Sequence, residues 1–228
     1  MTERTQAAGR GAILYDDALL DHADDALFVP PPSAVSAAGG RGRAFILPRG
    51  DGEWVLRHYR RGGHAARFLG DLYLWNGLAA SRPWREWRLL ASLYKEGLPV
   101  PRPVAARVSR QGLFYRGDLV TRRIPGARSL AELLGGTSDI PWGAVGRTLR
   151  RFHDANVWHA DLNAHNIVLD ARGNVHLLDF DRGERRAAAA GWKMANLLRL
   201  KRSLDKLSRG RVHRELWSAL LDGYGRRS

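Results

Sequence analysis

The chain has no cysteine among its 228 residues. Structural disulfides, thiolate metal sites and cysteine nucleophiles are therefore excluded, and the zero count fits a reducing compartment. No run of 18 apolar residues occurs, so no spanning helix is expected. Met1 to Gly11 is polar and lacks the apolar stretch of a signal peptide. Any meeting with a membrane is expected from its surface. No Walker A string occurs, which excludes P-loop NTPases. Acid is also scarce: 23 Asp+Glu face 37 Lys+Arg, a formal charge of +14. Such a surface attracts nucleic acid, nucleotide phosphates and acidic lipid, and charge alone does not choose among them.

What is present is enough for a packed core: 44% hydrophobic residues and 8 Trp. The length allows two small lobes. Residues 1–11 read as a disordered tail. Pro30-Pro31-Pro32 interrupts regular structure, and 33–43 is small and glycine-rich. Extended runs at 44–47 and 54–59 flank a turn signal at 48–52 and predict a β-hairpin. Trp87, Leu90, Ala91 and Tyr94 recur at i, i+3, i+4, i+7 and predict a helix over 83–95. Further extended runs cover 104–108 and 113–124, and Pro125-Gly126 marks a lobe boundary. Beyond it, helices are predicted over 129–134, 142–154 and 187–222. The runs 167–169 and 175–178 enclose Asp170-Ala-Arg-Gly173-Asn174, a second hairpin. The expected organisation is α+β: residues 1–124 a β-rich nucleotide-gripping lobe, residues 125–228 a mainly helical catalytic lobe.

The chemistry concentrates in His159-Ala-Asp161-Leu-Asn-Ala-His-Asn166, followed thirteen residues later by Asp179-Phe180-Asp181. Phosphoryl transfer from ATP needs a carboxylate to take the acceptor hydroxyl's proton and oxygen ligands to hold Mg²⁺ against the phosphates. Asp161 suits the first task, Asn166 and Asp179 the second. The spacing is that of a kinase catalytic loop followed by its Asp-Phe-Gly position. His159 reads as scaffold. The same loop also admits a metal-hydrolase reading, with His159, Asp161 and His165 as ligands, or a plain polar turn.

A kinase further needs a phosphate-gripping cation paired with a helix carboxylate. Arg57 stands in the strand position where that lysine belongs, with Arg60 a competitor in the same run. Glu86, early in the predicted helix, is the candidate partner. Gly40 and Gly42 precede the first strand as a candidate phosphate-covering loop. Asp181 replaces the glycine of Asp-Phe-Gly, and no Ala-Pro-Glu follows. A peptide-substrate platform therefore does not fit, and a compact small-molecule or glycolipid kinase does.

Val55-Leu-Arg-His-Tyr-Arg-Arg-Gly-Gly63, Tyr94-Lys-Glu-Gly-Leu-Pro-Val-Pro-Arg-Pro103, Thr121-Arg-Arg-Ile-Pro-Gly126, the 159–166 loop and Leu178-Asp-Phe-Asp-Arg-Gly183 carry a resemblance. So does Gly112-Leu-Phe-Tyr-Arg-Gly-Asp-Leu119. The chain resembles the 3-deoxy-D-manno-octulosonic acid (Kdo) kinases of Gram-negative bacteria, relatives of the lipopolysaccharide core heptose kinases. The resemblance implies a two-lobed kinase-like fold and ATP-dependent phosphorylation of the 4-hydroxyl of Kdo on a lipid A precursor. It implies a peripheral protein on the cytoplasmic face of the inner membrane. By the same resemblance Asp161 is the base, Asn166 and Asp179 are metal ligands, and arginine at position 57 is shared. A heptose kinase is the alternative within the superfamily. A dead kinase fold that binds nucleic acid is the alternative outside it. The intact Asp161, Asn166 and Asp179 argue against the latter, so no nucleic-acid partner is expected. The basic, leucine-rich 192–211 stretch fits an acidic membrane surface or an ordinary amphipathic helix equally.

Overall fold

The computed structural model describes residues 1–32, 34–36, 44–50, 52–60, 70–136, 139–208 and 214–225. Gly40 and Gly42 lie outside the described residues. The chain divides into two compact units: Met1–Lys95 with Pro101–Arg123, and Glu96–Val100 with Ile124–Ser228.

The first unit is built on an antiparallel sheet. Its strands are β1 (Glu3–Ala8), β2 (Gly11–Asp16), β3 (Val35–Ser36), β4 (Ala44–Arg49), β5 (Gly52–His58), β6 (Tyr73–Leu74), β7 (Pro103–Gln111) and β8 (Phe114–Arg122). Their order is β1-β2-β7-β8-β5-β4-β3, with β6 also on β8. The tail expected to be disordered is instead strand β1, paired residue by residue with β2 from Glu3↔Asp16 to Ala8↔Gly11. Gly9, at φ +51°, makes the reversal possible, and Arg4 Nε reaches Asp17 at 3.1 Å. Ile13, Tyr15, Trp54, Leu56, Val104 and Val120 alternate onto one face of the sheet. Leu27 and Phe28, from a 3₁₀ turn at Asp25–Phe28, close that face.

The other face takes α1 (Arg82–Lys95), which buries Trp84, Trp87, Leu90 and Leu93. Tyr94, expected on the buried stripe, is 41% exposed. The Arg102 guanidinium lies 5.7 Å over its ring.

In the second unit, Ser129 and Glu132 form a capping box that starts α2 (Leu130–Leu134). The helix α3 (Trp142–Asp154) buries Val145, Leu149 and Phe152. The expected single helical stretch over 187–222 is two helices, α4 (Ala190–Ser208) and α5 (Arg214–Gly225). Short strands complete the unit. β9 (Arg128–Ser129), β11 (Ile167–Leu169) and β12 (Val175–Leu177) form one sheet, and β10 (Val157–Trp158) pairs with β13 (Glu184–Arg185). Residues 96–100 fall before the expected lobe boundary but pack here. Leu177 N–H donates to Pro99 O at 3.0 Å and Arg151 to Gly97 O at 2.8 Å. α3 and α5 approach backbone to backbone at Gly146 and Gly223.

Candidate active site

In the second unit, α3 and β10 deliver the chain into the 159–166 loop, and the β11–β12 hairpin returns it to Asp179. His159 is buried at 2% exposure. Its Nε2–H donates to Leu178 O at 2.8 Å, and its Nδ1 accepts the Asp161 N–H at 3.1 Å. These partners fix a neutral ring, and burial lowers its pKa from the usual histidine value. The ring sits 4.8 Å from Phe180, which in turn stacks on Phe152 at 5.7 Å. His159 is thus a clamp between the loop and the 178–181 segment. With both nitrogens engaged it has no lone pair for a metal. His165 is exposed, and no group of three or more His, Asp or Glu among the described residues forms a metal site. The metal-hydrolase reading fails on these grounds.

Asn163 shapes the loop: its Oδ1 accepts the His165 and Asn166 N–H groups at 2.8 and 3.3 Å. The Asn163 and Asn166 amides both donate to Asp161 O, at 3.1 and 2.9 Å. That orients Asn166 with its amide oxygen without a partner among the described residues. The Leu178 N–H on Asn166 O at 2.9 Å ties Asn166 to the residue before Asp179. Asp179 itself holds φ +59°, rare for a residue with a side chain. Strain of this kind, of order 1–3 kcal/mol, persists where the surroundings dictate a side chain's direction. Asp181 directs its N–H at Asp179 Oδ1, 3.4 Å away. An amide oxygen and a carboxylate on two segments joined by the Leu178–Asn166 backbone bond are the donor types that suit Mg²⁺, which takes few protein ligands and completes its shell with phosphate and water.

Asp161 is half exposed. Its Oδ1 accepts from Arg199 Nη2 at 2.5 Å and Nε at 3.2 Å. Its Oδ2 has no partner among the described residues.

In the first unit, Arg57 lies on β5 and Glu86 on α1. The guanidinium forms an ion pair with Glu86 Oε2, whose side chain is 1% exposed. The Tyr59 hydroxyl donates to the same oxygen, and Arg57 stacks 4.8 Å over the Tyr59 ring. Arg60 is exposed and lines a cavity of about 510 Å³ with Phe45, His58 and Arg107. Arg57, not Arg60, therefore meets the helix carboxylate.

Tyr59, Asn163 and Asn196 were not singled out by the sequence, and Arg199 was read only as part of the basic 192–211 stretch. Tyr59 follows β5 directly, two positions after Arg57 in an extended run, a signal that was available. The contacts of Asn196 and Arg199 join residues more than 35 positions apart.

The lipopolysaccharide kinase (Kdo/WaaP) family model matches residues 30–224. The chain belongs to that family. Membership makes it a phosphotransferase. A 3-deoxy-D-manno-octulosonic acid kinase of Xanthomonas axonopodis pv. citri is 48% identical over 216 residues, 92% of this chain and 86% of that protein. One from Stenotrophomonas maltophilia K279a is 46% identical over 213 residues, 91% and 85% of the two chains. One from Xanthomonas oryzae pv. oryzae is 47% identical over 208 residues, 89% and 83%. No helix among the described residues of this lipopolysaccharide kinase is long and apolar enough to cross a membrane.

Proposed function

We propose that the chain is a Kdo kinase. It transfers the γ-phosphoryl group of ATP to the 4-hydroxyl of Kdo in a Kdo-lipid A precursor, during assembly of the lipopolysaccharide inner core. The observation that carries the reading is the 159–179 segment. The half-exposed Asp161 carboxylate has an oxygen without a partner among the described residues, the Asn166 amide is tied to Asp161 O, and Asn166 O is tied to the residue before the strained Asp179. The identity to three named Kdo kinases supports the acceptor.

On this reading Asp161 Oδ2 takes the proton of the acceptor hydroxyl as the new O–P bond forms and the bond to ADP breaks. Asn166 and Asp179 would hold Mg²⁺, which neutralises phosphate charge when bound. Arg57 would hold nucleotide phosphate. Its fork gives Glu86 and phosphate separate N–H donors, which a lysine ammonium supplies less directionally. His159 remains a neutral clamp. A charge of +14 suits a multiply anionic glycolipid at the anionic cytoplasmic face of the inner membrane, met peripherally.

The deciding experiment supplies purified protein and labelled ATP with Kdo-lipid A precursor, lipid A precursor lacking Kdo, or a heptose-bearing core. Label is expected in the first acceptor alone. Label in the Kdo-free acceptor would break the substrate assignment, and label confined to the heptose acceptor would move the enzyme to the neighbouring branch of the family.

A further inference from the structure

Helix α4 runs along the catalytic loop in register. Asn196 holds His159 by both backbone groups: its Oδ1 accepts the His159 N–H at 3.2 Å and its Nδ2 donates to His159 O at 2.9 Å. One turn on, Arg199 holds Asp161 Oδ1. One turn further, Ser203 Oγ accepts the Ala164 N–H at 3.2 Å. Positions 196, 199 and 203 are spaced i, i+3, i+7 and share one helix face. Three rungs therefore lock loop residues 159, 161 and 164 to one rigid element.

The middle rung differs from the other two. Asn196 is buried at 3% exposure, whereas the Arg199 and Asp161 side chains are 47% and 48% exposed. An ion pair that wet contributes about 0–1 kcal/mol to stability. Fold stability does not explain it. Its geometry is also asymmetric. Two N–H groups of Arg199 share one oxygen of Asp161. The rest of the five-donor guanidinium has no partner among the described residues. Planar guanidinium edges recognise carboxylates. An octulosonic acid carries a carboxylate on the same ring as the hydroxyl to be phosphorylated, so the two groups arrive together.

We propose that Arg199 recognises the acceptor: it fixes Asp161 through Oδ1 and offers its remaining N–H donors to the carboxylate of the acidic sugar whose hydroxyl faces Oδ2. This rests on the Kdo kinase reading. It makes Arg199 at once a positioning residue for Asp161 and a specificity residue for the acceptor.

The test measures steady-state constants for wild type, R199K and R199Q, with the natural acceptor and with one whose sugar carboxylate is converted to the carboxamide. Losing a hydrogen bond to a charged group raises the acceptor KM of R199Q by roughly 10- to 100-fold, with the ATP KM unmoved and R199K intermediate. Wild type loses a similar factor on the carboxamide, and R199Q loses little more. Equal sensitivity of wild type and R199Q to the carboxamide, or a loss confined to kcat, overturns recognition by Arg199. A wild type inactive on the natural acceptor would instead overturn the Kdo kinase reading, and this inference with it. Melting temperatures within a degree or two of wild type confirm that the variants fold.

Discussion

Replacing Asp161 with alanine removes the group proposed to accept the hydroxyl proton. General-base loss of this kind lowers kcat by about 10²- to 10⁴-fold. The side chain is half exposed and its partner Arg199 is equally wet, so unfolding free energy changes by under about 1 kcal/mol. Initial rates on Kdo-lipid acceptor and a denaturant melt check the two halves of that expectation. His153 makes the opposite case, a buried residue outside the proposed catalytic set. Its Nδ1 meets the Tyr224 hydroxyl at 2.8 Å and its ring stands edge-on to Trp192 at 5.2 Å. Burial pushes its pKa down to about 4. Between pH 6.5 and 4 the unfolded chain binds a proton that the folded chain refuses. The stability is whole above pH 6.5 and falls as pH drops through this window, by about 3 kcal/mol in all. His159 acts in the same direction. A melting-temperature series from pH 7 to 4 is expected to slope downward with acid, and H153Q to flatten it substantially.

α3 and α5 touch where neither has room for a side chain. A Cβ on Gly146 would lie 2.0 Å from Leu220 O, and one on Gly223 would lie 2.1 Å from Gly143 O. G146A therefore forces the helices apart and costs about 1–3 kcal/mol or more, since the clash is with backbone that cannot rotate away. Thermal melts of G146A read this directly, and a residue-matched control at exposed Gly191 is expected to melt like wild type. Elements with a local signature were legible in the sequence. Helix 142–154 announced itself by Val145, Leu149 and Phe152. The second hairpin did so by Asp170, whose Oδ1 accepts from Arg172 and Asn174 N–H at 2.9 Å each, and by Gly173 at φ +80°. The spacing of Asp161, Asn166 and, beyond the hairpin, Asp179 was likewise readable, and their roles belong to the proposal. Strand β1 was not, because Glu-Arg-Thr-Gln-Ala-Ala has no apolar alternation and is held at an edge by backbone pairing. Arg199 was not legible either. Among so many arginines, only its tertiary docking on Asp161 sets it apart.

The charge belongs to the molecule as a whole. α4 spends Leu197, Leu200 and Leu204 on the core and leaves Met194 and Leu198 exposed among basic residues. Its leucines are mainly packing. Arg199 and Lys201 pair with Asp161 and Asp205, and the exposed Arg202 and Lys206 are the cations that an acidic surface would meet. Co-sedimentation is expected with vesicles rich in anionic lipid and not with purely zwitterionic ones. Raising salt from 0.1 to 1 M shortens the Debye length from about 10 to about 3 Å and is expected to release the protein. That charge is almost entirely guanidinium: of 37 basic residues, only Lys95, Lys193, Lys201 and Lys206 are amines. The strand that pairs with Glu86 presents Arg57, and a guanidinium is not acylated under conditions that acylate a primary amine. Nucleotide-based reagents that tag kinases by covalent capture of a strand lysine would therefore leave this enzyme unmarked there. A chemical survey of kinases built on such reagents would pass over it.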